Sequence, residues 1–89
     1  MLFAALGKVR AGTVQERLAR RAQWQPPDEV VAEYWLQTDN PHVILMIETD
    51  SFAQLMAALV GWDDVFDITV VPAITAEEGF EVVQQMLQE

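Results

Sequence analysis

The sequence predicts an α+β domain of βαββαβ order with a helical tail. Two observations carry this. Hydrophobic periodicity along the chain runs apolar, amphipathic, alternating, then apolar, amphipathic, alternating again. Each amphipathic stretch is also preceded by a hydroxyl residue with Glu or Gln three positions on, the capping-box spacing that opens a helix.

Leu2–Val9 is apolar nearly throughout, as a central strand buried on both sides should be. Ala11-Gly12 breaks it, and Thr13-Val14-Gln15-Glu16 opens the first helix, whose expected apolar stripe is Val14, Leu18 and Ala22. Glu16 near its start and Arg20 and Arg21 near its end complement the macrodipole, and Pro26-Pro27 stops it. Val30–Gln37 and His42–Thr49 flank the turn Thr38-Asp39-Asn40-Pro41. With Asp39-Asn40 as a two-residue loop, Gln37 pairs with His42, Trp35 with Ile44, Glu33 with Met46 and Val31 with Glu48. Leu36, Tyr34 and Ala32 would then lie beneath the helices beside Val43, Leu45 and Ile47. Ser51-Phe52-Ala53-Gln54 opens a second helix with Phe52, Leu55, Met56, Leu59 and Val60 as its stripe, closed by Gly61. Phe66–Ile74 turns Phe66, Ile68 and Val70 inward, and Pro72 confines it to a sheet edge. Thr75-Ala76-Glu77-Glu78 opens a last helix with Phe80, Val83 and Leu87 on one side. Together these make a single ferredoxin-like domain over residues 1–89: an antiparallel four-stranded sheet of order 4-1-3-2, two helices on one face, and a C-terminal helix.

With 52% hydrophobic residues and no cysteine, the chain is globular, and thiol catalysis, disulfide staples and zinc-finger ligation are excluded. Met1–Leu6 is too short for a signal peptide or a membrane span, so a soluble cytoplasmic protein is expected. All five basic residues (Lys8, Arg10, Arg17, Arg20, Arg21) lie in the first 21 positions, which sum to +4 against −13 for the rest. The net charge of −9 argues against nucleic-acid binding, and His42–Ile47 lacks the aromatic signature of RNA-recognition modules. The arginines therefore read as partners for acidic residues within or between subunits, with an anion site as the alternative.

Two helices cover only one side of such a sheet. The other side is assigned Val31, Glu33, Trp35, Gln37, Ile44, Met46, Val71 and alternate residues of the first strand. Its footprint, roughly 400 Å² at ordinary strand spacing, is large enough to mark an interaction surface. A second copy packed sheet on sheet, a homodimer, is the simplest cover.

The length, the βαββαβ order and the doubly apolar central strands resemble the dimeric α/β-barrel superfamily. More narrowly, Glu48-Thr49-Asp50, Trp62, Asp64 and Phe66-Asp67-Ile68-Thr69-Val70-Val71-Pro72 are similar to a DUF3303-like family of unknown function. The superfamily contains cofactor-independent monooxygenases, lactone isomerases and haem-dependent members, so the resemblance implies small-molecule binding. It transfers no catalytic residue, and His42 matches no haem-ligand pattern; no cofactor is expected.

Candidate ligand or dimer-face residues are Glu33, Trp35, His42, Met46 and Glu48. His42 near carboxylates is a general-base or switch candidate, with a strand-end contact as the bland alternative. Glu33 and Glu48 are acid/base candidates if a dimer buries them, and rim carboxylates otherwise. Asp63-Asp64-Val65-Phe66-Asp67 has the D-D-x-x-D spacing of diphosphate-magnesium sites, but spans a loop and a strand start rather than one helix, so no metal site is expected. Of Trp24, Trp35 and Trp62, Trp62 is expected in the core and Trp35 on the open face. Two functions remain: a homodimeric small-molecule binder, or a non-catalytic interaction module whose sheet face is only an interface. A cavity with His42 or a carboxylate in its wall favours the first.

Overall fold

Leu2–Val9 (β1) lies inside a four-stranded antiparallel sheet ordered β2-β3-β1-β4. This is the expected order, with β2 Val30–Trp35, β3 Val43–Glu48 and β4 Phe66–Ala73. The computed structural model describes residues 1–88. Helix α1 (Val14–Gln23) starts where the capping box places it: the Thr13 hydroxyl accepts a hydrogen bond from the Glu16 amide at 3.1 Å. Ser51 caps α2 (Phe52–Leu59) in the same way through the Gln54 amide, and Thr75 caps α3 (Ala76–Gln88) through the Glu78 amide. β4 is an edge strand, which is where Pro72 can sit without costing a ladder bond.

The main core packs α2 on the sheet, with Ala5, Leu45 and Ile47 beneath Leu55, Ala58 and Leu59; Ile47 is fully buried. A 3-10 turn, Val60–Trp62, carries Trp62 down onto Val65 and Phe66 to form a second buried cluster. The α2 stripe differs from expectation. Phe52, Met56 and Val60 are exposed, and Ala58 is buried in their place. The helix is rotated so that Leu55, Ala58, Leu59 and then Trp62 follow one line inward, and the small Ala58 permits close approach to the sheet.

The pairing of β2 with β3 is one residue away from the register expected of a two-residue loop. Trp35 lies opposite Val43, Tyr34 opposite Ile44, Glu33 opposite Leu45 and Ala32 opposite Met46, with an irregularity between Val30 and Ala32. The cause is the connection. Leu36 donates to the His42 carbonyl at 2.8 Å, while Val9 donates to the Asp39 carbonyl and His42 to the Gly7 carbonyl. The loop therefore spans 37–41 and is tied to the end of β1, instead of closing over Asp39-Asn40. Because strand side chains alternate, the single step moves Glu33 and Trp35 to the helix side and Tyr34 and Ala32 to the open side. Ile44, Met46 and Val71 remain on the open side, as expected.

α3 has no buried residue: Phe80, Val83 and Met86 are exposed, and Leu87 is 81% exposed. The radius of gyration is 15.2 Å, against about 12 Å for a compact chain of this length. The helix extends from the domain and does not cover the sheet.

Gly7 sits opposite Val43 and Ile68 on the helix side. A Cβ there would stand 2.7 Å from Val43 Cγ1 and 3.4 Å from the Phe66 ring. Gly7→Ala is therefore expected to lower unfolding stability by about 1–3 kcal/mol, read as a fall in the urea midpoint. Gly61→Ala, which meets nothing within 4 Å, should leave the midpoint within about 0.5 kcal/mol.

Candidate functional site

α1 does not face the sheet with its apolar residues. Val14, Leu18 and Ala22 are exposed, whereas Arg17 is buried, and Arg21 and the following Trp24 are half-buried. These three stand at i, i+4 and i+7, one helical face. Arginine stems cover apolar surface while their guanidinium tips seek polar partners. The packing that results is less complete than under α2. Below this face β1 contributes Ala5 and Gly7, which project little or nothing. The consequence is a half-open cavity of about 70 Å³ between α1 and the sheet.

Its walls are aromatic. Trp24 and Trp62 meet edge to face at 5.4 Å, and Trp62 lies 6.0 Å from Phe66. Leu18 and Trp35, the latter 59% exposed, stand at the rim. Four polar side chains reach the same space: Arg17, Arg21, Glu33 and His42. Arg21 grips Glu33 with a two-pronged bond, Nε to Oε2 at 2.8 Å and Nη2 to Oε1 at 2.7 Å. Trp35 Nε1 donates to the same Oε2 at 2.7 Å. His42 Nδ1 lies 2.9 Å from the Thr38 carbonyl, and its ring stacks on Phe66 at 6.4 Å.

Of the residues singled out from sequence, Glu33, Trp35 and His42 are thus brought together, but beneath α1 and not on the open face. Met46 is half-buried on the open side. Glu48 is also there, at the far end of β3, accepting from the Met1 amino group at 2.8 Å. Glu33 and Glu48 therefore do not share a face, and the paired-carboxylate arrangement is absent. The D-D-x-x-D acids are dispersed: Asp64 takes a bidentate bond from Arg20, Asp67 lies 3.9 Å from Arg10, and Asp63 offers only its carbonyl to Arg10. Among the described residues no group of three or more His, Cys, Asp or Glu side chains could hold a metal ion. Trp24 and Phe66 are not among the candidate site residues read from sequence, and Arg17 and Arg21 enter there only as members of the basic cluster with an anion site as its alternative reading. The signal that could have found them is the Arg17-Arg21-Trp24 spacing, a second stripe on α1 beside the apolar one.

The Arg21 bond is the main reason that the Glu33 carboxyl titrates below its usual range, with Trp35 adding to it against the cost of burial. Arg21 is correspondingly held protonated, chiefly by that same bond. Arg20 and Asp64 shift each other in the same two directions at the surface.

Fold and site together define an α+β protein, of a topology compatible with the ferredoxin-like fold, with an aromatic cavity under its first helix. The chain belongs to the family described as domain of unknown function DUF3303, whose model matches residues 1–87. No curated protein and no solved structure matches it. No helix among the described residues is long and apolar enough to cross a membrane.

A carboxylate whose folded pKa is depressed contributes stability above its unfolded value, and that contribution is lost as pH falls through the folded value. Glu33→Gln should therefore cost about 1–2 kcal/mol near neutrality. The gap to the wild type should close as the pH drops below the ordinary glutamate value of 4.5. Urea midpoints of both proteins between neutral pH and pH ~3 check this; parallel curves would show that Glu33 does not carry the acid sensitivity.

Proposed function

We propose that this protein binds a small hydrophobic or aromatic molecule in the cavity between α1 and the sheet, and does so as a homodimer. The observation that supports the first part is the convergence of Arg17, Arg21, Glu33 and His42 on one aromatic-walled, solvent-connected space. Ligand sites are concave and largely apolar, with a few polar groups that fix orientation. The cavity is well below the roughly 300–1,000 Å³ of pockets for drug-sized ligands and about half of the roughly 150 Å³ that encloses a benzene ring, so the ligand is at most one ring in size and projects through the open mouth. That small volume is also what favours the second reading, an interaction module without a ligand.

Homodimerisation is supported by two uncovered apolar surfaces: the open sheet face around Leu6, Ile44 and Met46, and the α3 stripe of Phe80, Val83 and Leu87. A stable interface needs about 800 Å² per partner, and the sheet footprint of roughly 400 Å² falls short alone. The α3 stripe of one copy laid on the other would supply the difference. A second copy carries the same two surfaces, and so satisfies both at once with two-fold symmetry.

Intrinsic tryptophan fluorescence and thermal shift against a panel of single-ring compounds test the cavity. Trp24, Trp35 and Trp62 all line it, so a bound ring should change emission and raise the melting temperature. Leu18→Trp, at an exposed helix position on the rim, should plug the mouth and weaken binding at least about tenfold without loss of stability. A panel without a hit leaves the interaction-module reading.

Light scattering at micromolar concentration should return twice the 10.0 kDa chain mass, and Ile44→Glu, a charge at the middle of the open face, should return the monomer. A wild-type monomer across that range would end the dimer proposal.

A further inference from the structure

We propose that the ligand of this cavity is an anion, a compact carboxylate carrying a ring or a branched apolar group, and that Arg17 is the residue that recognises its charge. This rests on the cavity being a binding site. Arg17 is only 9% exposed. A guanidinium at that depth is costly unless charged or well-placed acceptors surround it. Arg10, Arg20 and Arg21 each have a carboxylate within 4.0 Å; among the described residues Arg17 has none. Its hydrogen bonds run through Nη1 alone, to the neutral carbonyls of Ala11 at 3.0 Å and Gly12 at 2.7 Å. Nε is buried and has no partner.

The geometry of the gap defines what would fill it. With Nη1 turned to the loop, the edge left over is Nε–Nη2, two parallel N–H groups whose spacing matches the two oxygens of a carboxylate; Nε has almost no accessible surface, so a carboxylate engages both groups with a small shift of the Arg17 side chain. Glu33, the one carboxylate in the cavity wall among the described residues, is not available for this. Both of its oxygens are held by Arg21 and Trp35, and it neutralises Arg21. The cavity is left with one uncompensated positive charge, on Arg17, in a chain of net charge −9. A monoanion balances that charge, whereas a phosphate dianion would overshoot it and find too few donors. The apolar remainder of the ligand would lie against Trp24, Trp62 and Phe66.

The test uses matched probes of one shape: benzoate, benzamide and benzyl alcohol, titrated into the full chain by fluorescence or calorimetry. Benzoate is expected to bind at least about tenfold more tightly than either neutral analogue. Arg17→Gln should bring that ratio close to one, with most of the loss on benzoate, and Arg17→Lys should restore part of the preference. Should Arg17→Gln fail to fold, the wild type still decides the question. The Arg17 Nε–H resonance, followed by NMR, should shift with benzoate and stay in place with benzyl alcohol. Equal affinity for charged and neutral rings overturns the Arg17 assignment and leaves the cavity reading intact. If no ring of either kind binds and the Nε–H signal does not move, the cavity reading itself fails and this inference goes with it.

Discussion

The rest of the site depends on the parity of β2 against β3. In a pleated strand the side chains alternate, so a step of one residue decides whether Glu33 faces water or the underside of a helix. Here Glu33 lies opposite Leu45 and so points where Leu45 points, towards the core. A carboxylate placed there must be compensated, and α1 and its own strand provide the donors. Arg21 and Trp35 supply them. The same bond locates α1 over the outer half of the sheet, because a two-pronged guanidinium contact fixes orientation as well as distance. Register, cavity wall and helix position are thus consequences of one constraint.

The two helices use the sheet differently. α2 buries Leu55, Ala58 and Leu59 on Ala5, Leu45 and Ile47, an apolar-on-apolar contact that forms the main core. α1 lays arginine stems on the same layer, and its tips are drawn outward to carbonyls and carboxylates. Arg20 and Arg21 also cover tryptophan rings, at 5.7 Å from Trp62 and 5.2 Å from Trp24, which holds those rings upright as walls. Such a helix cannot seal the floor beneath it, least of all over Gly7. One half of the domain is consequently a core and the other a recess, and the recess is where unsatisfied polar capacity collects.

Strand and helix limits, sheet order, the three capping residues and the edge position of β4 were legible in the sequence, because each follows from local chemistry. A hydroxyl three residues before a glutamate, a proline that cannot donate and a run of alternating apolar residues act over a few positions. The β2 register was not legible from such signals. Composition marks Thr38–Pro41 as a turn, but loop length is set by bonds to β1, from His42 to Gly7 and from Val9 to Asp39, that no local pattern announces. That single step put Glu33 and Trp35 on the wrong face while leaving Ile44 and Met46 on the right one. The α1 face was missed for a related reason. Hydrophobicity ranks Val14 and Leu18 above Arg17 and Arg21, yet the Glu33 carboxylate on the sheet draws Arg21 inward and the carbonyls of Ala11 and Gly12 draw Arg17. Trp62 was recognised as core because nothing polar on the sheet competes for its place.

Charge along the chain acquires a meaning in three dimensions that its sum does not convey. The basic residues of β1, α1 and the segment joining them face the acids at one end of the sheet: Asp64 and Asp67 near β4, and Glu33 on β2. The exposed Arg10–Asp67 and Arg20–Asp64 pairs contribute little individually, but with the half-buried Arg21–Glu33 pair they consume every arginine of the cluster except one. Most of the other described acids lie on the loops and on α3, with Glu16 on α1 and Glu48 on β3, and give the molecule a negative field that repels anions at long range. Arg17 sits in low-dielectric surroundings where its attraction for an anion in contact is strong, whereas beyond about a Debye length salt screens Arg17 and the surface acids alike. A cation inside an acidic protein therefore selects at close range without attracting anions in general, which is the behaviour a specific pocket requires and a surface patch cannot provide.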